Sequence, residues 1–257
     1  MEPENGGGVV TTEVPQAKNF FARLGGVFFS PREAFEEIGR APRLLLPIVV
    51  TVILTVAGTW CVMTKVDTTA MTAAALEQAV ARGQITEEQM EQQLALMSTA
   101  APVAAGVAGG VMALVLALAI AGYGKLFSMF AAAENKYKSL LEVSLYATIA
   151  VGVVQTLVMA VILLSKGAGK IQATDAASVV ASSLGAIIAV VAGDDALPEF
   201  PMLLAKAIDI FTIWNVALLA IGFAAVSKRL TTATAAAWLG GAYAVYAVGN
   251  AAIRAML

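Results

Sequence analysis

Long apolar runs separated by short polar stretches dominate the chain from residue 44 onward. Five runs reach the roughly 20 residues that a helix needs to cross a bilayer, and they cover approximately 44–63, 103–121, 143–164, 203–226 and 233–252. A sixth run, 176–192, is shorter, includes three serines and is flanked by aspartates. Its length and polarity favour an interfacial or re-entrant helix. The pattern predicts an all-α fold, a polytopic membrane helix bundle with five transmembrane helices.

Two short amphipathic helices are predicted before the first apolar run. Phe20, Phe21, Leu24, Val27 and Phe28 recur at helical spacing within residues 20–41. Such helices bury their apolar side in the headgroup region of a membrane. We therefore expect residues 20–41 to lie along the cytoplasmic membrane surface, with the aromatic side chains facing lipid or the bundle.

The second amphipathic helix begins with a recognisable start signal, Ser-Pro-Arg-Glu, at residues 30–33. Serine can cap a helix, proline suits the first helical position, and a glutamate three residues after the serine can close a capping box. Besides seating the bundle in the interface, this segment could be a cytoplasmic docking platform. Its candidate docking residues are Phe28, Ser30, Pro31, Glu33, Phe35 and Ile38.

The remaining polar stretches divide the chain into further units. Residues 1–19, with three consecutive glycines, are predicted to be a disordered polar tail, and residues 42–256 form the membrane domain. Residues 68–98 predict an outer helical hairpin that turns at Gly83, with a capping box formed by Thr86 and Gln89. Residues 166–200 are predicted to be an outer interfacial segment.

The distribution of basic residues predicts the orientation. Five spans with a cytoplasmic N-terminus place ten lysine and arginine residues inside and six outside, as the positive-inside bias expects. A six-span arrangement gives the same ratio, so the charges do not distinguish five spans from six. Because the sixth run is short and contains serines, we predict five spans. We expect an integral protein of the bacterial inner membrane with its N-terminus in the cytoplasm.

The composition of the chain limits the classes of function that we expect. The chain is 59% hydrophobic and 13% charged, has a net charge of −2 and contains no histidine and one cysteine. A chain with this balance is not expected to bind nucleic acid. It contains no phosphate-binding loop, no metal-ligand cluster and no nucleophile motif of a known type. We therefore predict no catalytic residues, no metal, no cofactor and no small-molecule substrate.

One acidic residue, Asp209, lies within a predicted span. It precedes Lys228 by nineteen residues, and Asn250 follows Thr231 by the same number, so both lie about 28 Å from the inner boundary. We predict a polar tie between the last two helices that joins Asp209 to Asn250 or Arg254. The alternative is a transport site. Threonine hydroxyls at positions 51, 55 and 59 are expected to bond the preceding helical turn.

Small residues recur every fourth position along the second predicted span. They are Ala105, Gly109, Ala113, Ala117 and Ala121. Such ridges let helix backbones approach closely in lipid. We expect this ridge to pack within the bundle, which would make the second span its most buried helix, or to receive the helix of a membrane-protein partner or of a second copy.

Three stretches resemble the prokaryotic branch of the Yip family, polytopic membrane proteins related to the Ypt/Rab-interacting proteins of vesicle traffic. These stretches are FFSPREAFEEI, NKYKSLLEVSLYATIAVGVVQTLV and LLAKAIDIFTIWNVALLAIGFAAVSK. The resemblance implies five helices, no known catalysis and a scaffold or accessory role. The Asp-Leu-Tyr-Gly-Pro motif of the eukaryotic members is absent, so the resemblance carries no expectation of GTPase binding. The sequence thus predicts a non-enzymatic membrane scaffold; a small transporter or channel subunit using Asp209 is the alternative.

Overall fold

The computed structural model describes residues 19–67, 69–165, 171–172, 181–193 and 195–256. Apart from a two-residue parallel pairing of β1 (Val66–Asp67) with β2 (Ile171–Gln172) and one isolated bridge between Ser183 and Asp209, these residues form helices and turns. The helices are α1 (Phe20–Phe29), α2 (Pro31–Arg40), α3 (Leu45–Lys65), α4 (Thr69–Ala81), α5 (Glu87–Phe130), α6 (Tyr137–Ser165), α7 (Leu184–Ala192), α8 (Glu199–Ala207), α9 (Ile210–Ala225) and α10 (Thr232–Arg254). The all-α prediction is confirmed. The predicted tail lies outside the described residues except for Asn19, which caps α1.

Two of the described helices are long and apolar enough to cross a membrane. They are Val103–Phe130 within α5 and Tyr137–Ile162 within α6. Shorter apolar helices cover Leu45–Cys61 and Ile210–Ala225, within the first and fourth predicted runs. Length and composition therefore support membrane insertion of this chain.

The fourth predicted span is not one helix. α8 ends at Ala207 and α9 begins at Ile210, with Asp209 extended between them (φ −119°, ψ 135°). The carboxylate of Asp209 accepts a hydrogen bond from the backbone N–H of Thr212 at 3.0 Å. A side chain that satisfies a free N–H group at a helix start favours a new helix there over continuation of the old one.

The sixth apolar run is described only from residue 181 onward. Its helix, α7, has nine residues, which at the helical rise is about 14 Å. α7 packs against α8, where a Cβ on Gly185 would lie 2.6 Å from the backbone nitrogen of Lys206. The start of α7 is also fixed by the Leu184 N–H, which donates to the Ile208 carbonyl at 2.8 Å.

The predicted hairpin between the first two spans is formed by α4 and the start of α5. Gly83 adopts the left-handed conformation that the turn requires (φ 68°). Thr86 and Gln89 form the predicted capping box, with hydrogen bonds of 2.9 and 3.2 Å. α5 then continues without a break into the second apolar run. Its 44 residues measure about 66 Å at the helical rise, roughly twice the thickness of the hydrocarbon core.

The centre of the bundle is α6, and the expectation that the second span would be the most buried helix is wrong. Every residue from 139 to 147 is buried. A helix buried on all sides needs neighbours all round it, and α6 packs against α1, α2, α3, α5 and α9. α5 has fewer buried residues because one of its sides faces outward along the apolar run.

Candidate functional site: a buried ion pair and an interlocked loop cluster

An arginine lies on the apolar side of α1. Arg23 is three residues from Phe20 and four from Val27, so all three share one face of the helix, and all three are buried. The sequence analysis counted Arg23 among the cytoplasmic surface charges. Its side chain is instead 1% exposed and points into the protein. Its position on the apolar face was the signal that could have revealed this.

The partner of Arg23 is a glutamate from the second turn of α6. Arg23 Nη1 lies 3.0 Å from Glu142 Oε1, and the Glu142 side chain is fully buried. The other carboxylate oxygen of Glu142 accepts a hydrogen bond from the backbone N–H of Arg43. Both terminal nitrogens of Arg23 donate to the Ala41 carbonyl at 3.2 Å, and its Nε lies 3.4 Å from Glu37 Oε1.

This ion pair connects four parts of the chain. The guanidinium comes from α1, the carboxylates from α2 and α6, and the backbone groups from the connection between α2 and α3. A buried charge is tolerated only where an opposite charge and hydrogen bonds replace water. The cluster therefore fixes α1 and α2 to the bundle at one position.

Two of the predicted docking residues lie inside the protein. Phe35 and Ile38 are fully buried in the core. Room for the Phe35 ring exists because α9 has a glycine at position 222: a Cβ there would lie 2.3 Å from Val143 Cγ1 and 3.1 Å from Phe35 Cδ2. Phe28 is half-buried, and its ring centroid lies 5.9 Å from that of Trp214.

The other predicted docking residues lie at the surface. Ser30 and Glu33 are exposed, and Pro31 is half-buried at the first position of α2. Ser30 makes no side-chain cap hydrogen bond, so the predicted capping box is not formed. The backbone of Ser30 also ends α1, since its N–H donates to the Gly26 carbonyl at 2.7 Å. Phe21 and Phe29, at 78% and 89% exposure, add two large apolar side chains to this outer surface.

A second polar cluster interlocks the α5–α6 and α9–α10 loops. The Asn135 amide donates to Ser227 Oγ at 2.9 Å and to Ser128 Oγ. Lys125 Nζ donates to the Asn135 carbonyl at 2.8 Å. The backbone N–H of Lys228 donates to the carbonyl of Glu134 at 3.1 Å. These contacts hold the two loops together.

An exposed ion pair borders the same cluster. Lys228 Nζ lies 2.9 Å from Glu134 Oε2. The hydrogen bond and the charge of Lys228 lower the pKa of Glu134 below its usual value. The hydrogen bond and charge of Glu134 raise the pKa of Lys228 in turn. The start of α6 is also connected to the end of α2, because Ser139 Oγ donates to the Gly39 carbonyl at 3.3 Å.

In the structure, Asp209 and Asn250 of the predicted polar tie have other hydrogen-bond partners. Besides capping α9, the Asp209 carboxylate accepts a hydrogen bond from the Ser182 hydroxyl. The Asn250 amide donates to the Tyr246 hydroxyl at 3.1 Å, on its own helix. Among the described residues, no hydrogen bond or ion pair joins Asp209 to Asn250 or Arg254.

The contact between α8 and α10 is made by a different residue. The hydroxyl of Tyr243 donates to the Ala207 carbonyl at 2.7 Å. Lys206, Asn250 and Arg254 line a cleft of about 230 Å³ beside this bond, and Asp209 is not among its lining residues. Sequence reasoning missed Tyr243 because its partner is a backbone carbonyl freed where the fourth run is interrupted.

The small-residue ridge of α5 becomes more buried along its length. Ala105, Gly109 and Ala113 are half-buried, whereas Ala117 and Ala121 are buried. α5 and α3 approach closely along the first part: a Cβ on Gly106 would lie 3.1 Å from Val56 Cα, and one on Gly110 would lie 3.4 Å from Val52 Cα. The glycines adjoining the predicted ridge thus make much of the close contact with α3.

Comparison with known families gives a match over most of the chain. The family model of the Yip1 domain matches residues 25–253. Comparison with curated proteins finds no match, and comparison with solved structures finds none. The match begins within α1 and ends in α10, so it includes the second half of α1, all of α2, Glu142 of the ion pair and both interlocked loops. No group of residues suited to hold a metal occurs in the part of the chain that the structure describes. The chain belongs to the Yip1 domain family, and its apolar helices are those of an integral membrane protein.

Proposed function

We propose that this protein is a non-enzymatic membrane scaffold or accessory protein, which presents the outer surface of α1 and α2 to a membrane-protein partner. The observation that carries the proposal is the buried pair of Arg23 and Glu142, 3.0 Å apart. It fixes the amphipathic helices to the bundle, so their outward side chains keep one arrangement. A preorganised surface binds with a smaller entropic cost than a mobile one.

The surface has the composition of a protein contact. Phe21 and Phe29 are large, exposed and apolar, and the exposed polar residues Ser30, Arg32 and Glu33 adjoin them. Aromatic side chains surrounded by polar groups are typical of interface centres. The small-residue ridge of α5 is a second candidate contact, for the helix of a partner or of a second copy.

The membrane topology is also part of this proposal. We place five spans in a bacterial inner membrane, with the N-terminus in the cytoplasm; five helices are also what the resemblance to the prokaryotic branch of the family implies. The excess of basic residues on the cytoplasmic side supports this orientation. Single cysteines introduced at positions 170 and 199, in a chain with Cys61 replaced by serine, should be labelled from the same, outer side. Labelling from opposite sides would indicate six spans.

The scaffold proposal is tested by capture in the membrane. A photoreactive amino acid at Phe29 should give a discrete cross-linked protein in cells, whereas the same group at Val191, which is 80% exposed on α7, should not. Replacing Phe21 and Phe29 by serine should abolish the cross-link from a neighbouring position and leave the unfolding midpoint unchanged. Identical products from both positions, or only lipid adducts at position 29, would contradict a protein partner.

The alternative is a small transporter or channel subunit that uses Asp209. In its favour is the cleft of about 230 Å³ beside the interrupted fourth run, lined by Lys206 and Arg254. Against it is the engagement of the Asp209 carboxylate in capping α9. A solute flux lost in Asp209→Asn, with the fold intact, would support transport. Non-additive stability effects of Asp209→Ala and Arg254→Ala would instead support the predicted tie.

A further inference from the structure

A groove with many hydroxyl groups lies between α3 and α6, away from the docked helices. Its volume is about 440 Å³. Pockets that bind small molecules have roughly 300–1,000 Å³. The polar or reactive side chains that line it include Thr55, Thr59, Cys61, Thr148, Gln155 and Thr156. None of the described residues that line it is acidic or basic. It is therefore an uncharged site at the level of the apolar runs.

The two helices that form the groove run parallel. A Cβ on Gly152 of α6 would lie 3.3 Å from Leu54 of α3, and one on Gly58 would lie 3.4 Å from Thr156. Threonines stand eight residues apart on both helices, at 51 and 59 and at 148 and 156. Eight residues correspond to about 12 Å along a helix. Hydroxyl groups thus follow both walls over the same length.

Part of this polar lining is already satisfied by the protein. The hydroxyl of Thr51 donates to the Pro47 carbonyl at 2.8 Å, and that of Thr55 donates to the Thr51 carbonyl at 2.8 Å. The prediction that the threonines of α3 bond the preceding turn is confirmed at Thr51 and Thr55, and it is wrong at Thr59, whose hydroxyl makes no such bond among the described residues. These hydroxyls have used their protons within α3, so they can only accept from an occupant.

Among the described residues, four further polar side chains of the groove make no hydrogen bond to the protein. In the described part of the chain, no hydrogen bond involves the side chains of Thr59, Thr148, Gln155 or Thr156. Their hydroxyl and amide hydrogens are therefore available to donate. A polar group without a partner costs free energy in a hydrocarbon environment. An occupant whose oxygen atoms accept these hydrogen bonds removes that cost.

We propose that this groove binds an uncharged amphiphile that enters from the bilayer, with an apolar body and one or more carbonyl or hydroxyl oxygens. The oxygens accept hydrogen bonds from the threonine hydroxyls and from the Gln155 amide. The apolar body lies against Leu54, Ile149 and Met159. A charged headgroup is disfavoured, because the groove holds no opposite charge to offset its desolvation. This binding site is independent of the scaffold surface on α1 and α2.

The probe for this site is decylubiquinone, a neutral amphiphile with two carbonyl acceptors. The full-length protein in phosphatidylcholine nanodiscs should bind it saturably, and occupancy should slow the alkylation of Cys61 by N-ethylmaleimide. Cys61 is the single cysteine of the chain and lines the groove. Decanoic acid ionised at neutral pH is the charged comparison, and it should protect Cys61 much less.

The variants remove hydroxyl groups and keep the shape of the groove. The combined change Thr59→Val, Thr148→Val and Thr156→Val should weaken decylubiquinone binding at least about tenfold, because three hydrogen bonds are lost. Thr232→Val, on the exposed first turn of α10, is the matched control and should leave binding unchanged. If the triple variant does not fold, Gln155→Leu at an exposed position provides the same comparison with a single lost donor.

Four results would overturn the proposal. The first is the absence of saturable binding to the parent protein, and the second is equal protection of Cys61 by the charged comparison. The third is equal affinity of the parent and the folded hydroxyl-deleted variants, which would mean that only the apolar wall contributes. The fourth is loss of decylubiquinone binding in Thr232→Val as well, which would mean that the signal reports general stability.

Discussion

The buried ion pair gives the sharpest prediction for stability. Arg23→Met leaves Glu142 buried without its cation, and Glu142→Leu leaves Arg23 buried without its closest anion. Breaking a buried pair by removing one partner costs about 3–5 kcal/mol. We expect Glu142→Leu to lie at the lower end, because Arg23 keeps Glu37 at 3.4 Å and the Ala41 carbonyl at 3.2 Å.

The double variant should be far more stable than the sum of the single changes. Replacing a buried pair by apolar residues of similar volume is often neutral or stabilising by about 1–4 kcal/mol. Here the Ala41 carbonyl and the Arg43 N–H lose their partners, and each unsatisfied group costs about 1–3 kcal/mol. We therefore expect a modest net loss, and a coupling free energy of roughly 3 kcal/mol or more between positions 23 and 142.

The measurement is reversible unfolding in mixed micelles of dodecyl maltoside and SDS, followed by circular dichroism. Limited proteolysis within residues 20–41 reports release of α1 and α2 separately. The control is the surface pair of the same segment, in which Arg32 Nε lies 3.2 Å from Glu36 Oε1 on α2. Removing its arginine with Arg32→Gln should cost no more than about 0.5 kcal/mol. Additive effects at 23 and 142, or an equal loss from Arg32→Gln, would refute the argument.

Glycine contacts and the loop ion pair give further expectations. Gly222→Ala should destabilise the fold by about 1–3 kcal/mol, since the new Cβ would lie 2.3 Å from Val143 Cγ1. Gly249→Ala, with nothing within 4 Å of the new Cβ, should stabilise α10 by about 0.5–1 kcal/mol. If Gly222→Ala had a higher free energy of unfolding than Gly249→Ala, the described packing of these glycines would be contradicted. The pair of Glu134 and Lys228 contributes fully at pH values between the ordinary pKa of a glutamate and the ordinary pKa of a lysine. Its contribution is lost as the pH falls through the lowered pKa of Glu134 or rises through the raised pKa of Lys228. Lys228→Gln should return the pKa of Glu134 to its usual range in a carboxyl NMR titration, and an unchanged titration would exclude the contact in solution.

Local patterns predicted the elements whose determinants lie within a few residues. The Thr86 capping box needs only Gln89 three positions later, and the Gly83 turn needs only a residue that tolerates positive φ. The apolar runs of α5 and α6 exceed the length required to cross a bilayer, so the sequence alone predicted two long apolar helices there. These features are recognisable because neighbouring residues in the sequence create them.

Features that depend on distant residues were not predicted. Arg23 meets Glu142 across 119 positions, and nothing local to either residue identifies the other. The interruption at Asp209 depends on Ser182, 27 positions earlier. Hydropathy alone favoured a continuous fourth span, because the two helices on either side of the interruption are both apolar. The apolar run at 203–226 is therefore longer than either of the two helices that it contributes to.

The docked position of α1 and α2 needs a directional interaction as well as an apolar one. An amphipathic helix finds a suitable environment anywhere along the membrane surface, because burial of its apolar side depends on area and hardly on direction. The contacts of Phe35 and Ile38 favour the bundle over lipid, since these side chains are fully enclosed there. The pair of Arg23 and Glu142 is satisfied only when α1, α2 and α6 meet in one register, and every other position leaves a buried charge without a partner. The ion pair thus determines where α1 and α2 dock more than it adds to net stability. A surface that a partner recognises requires such a fixed position.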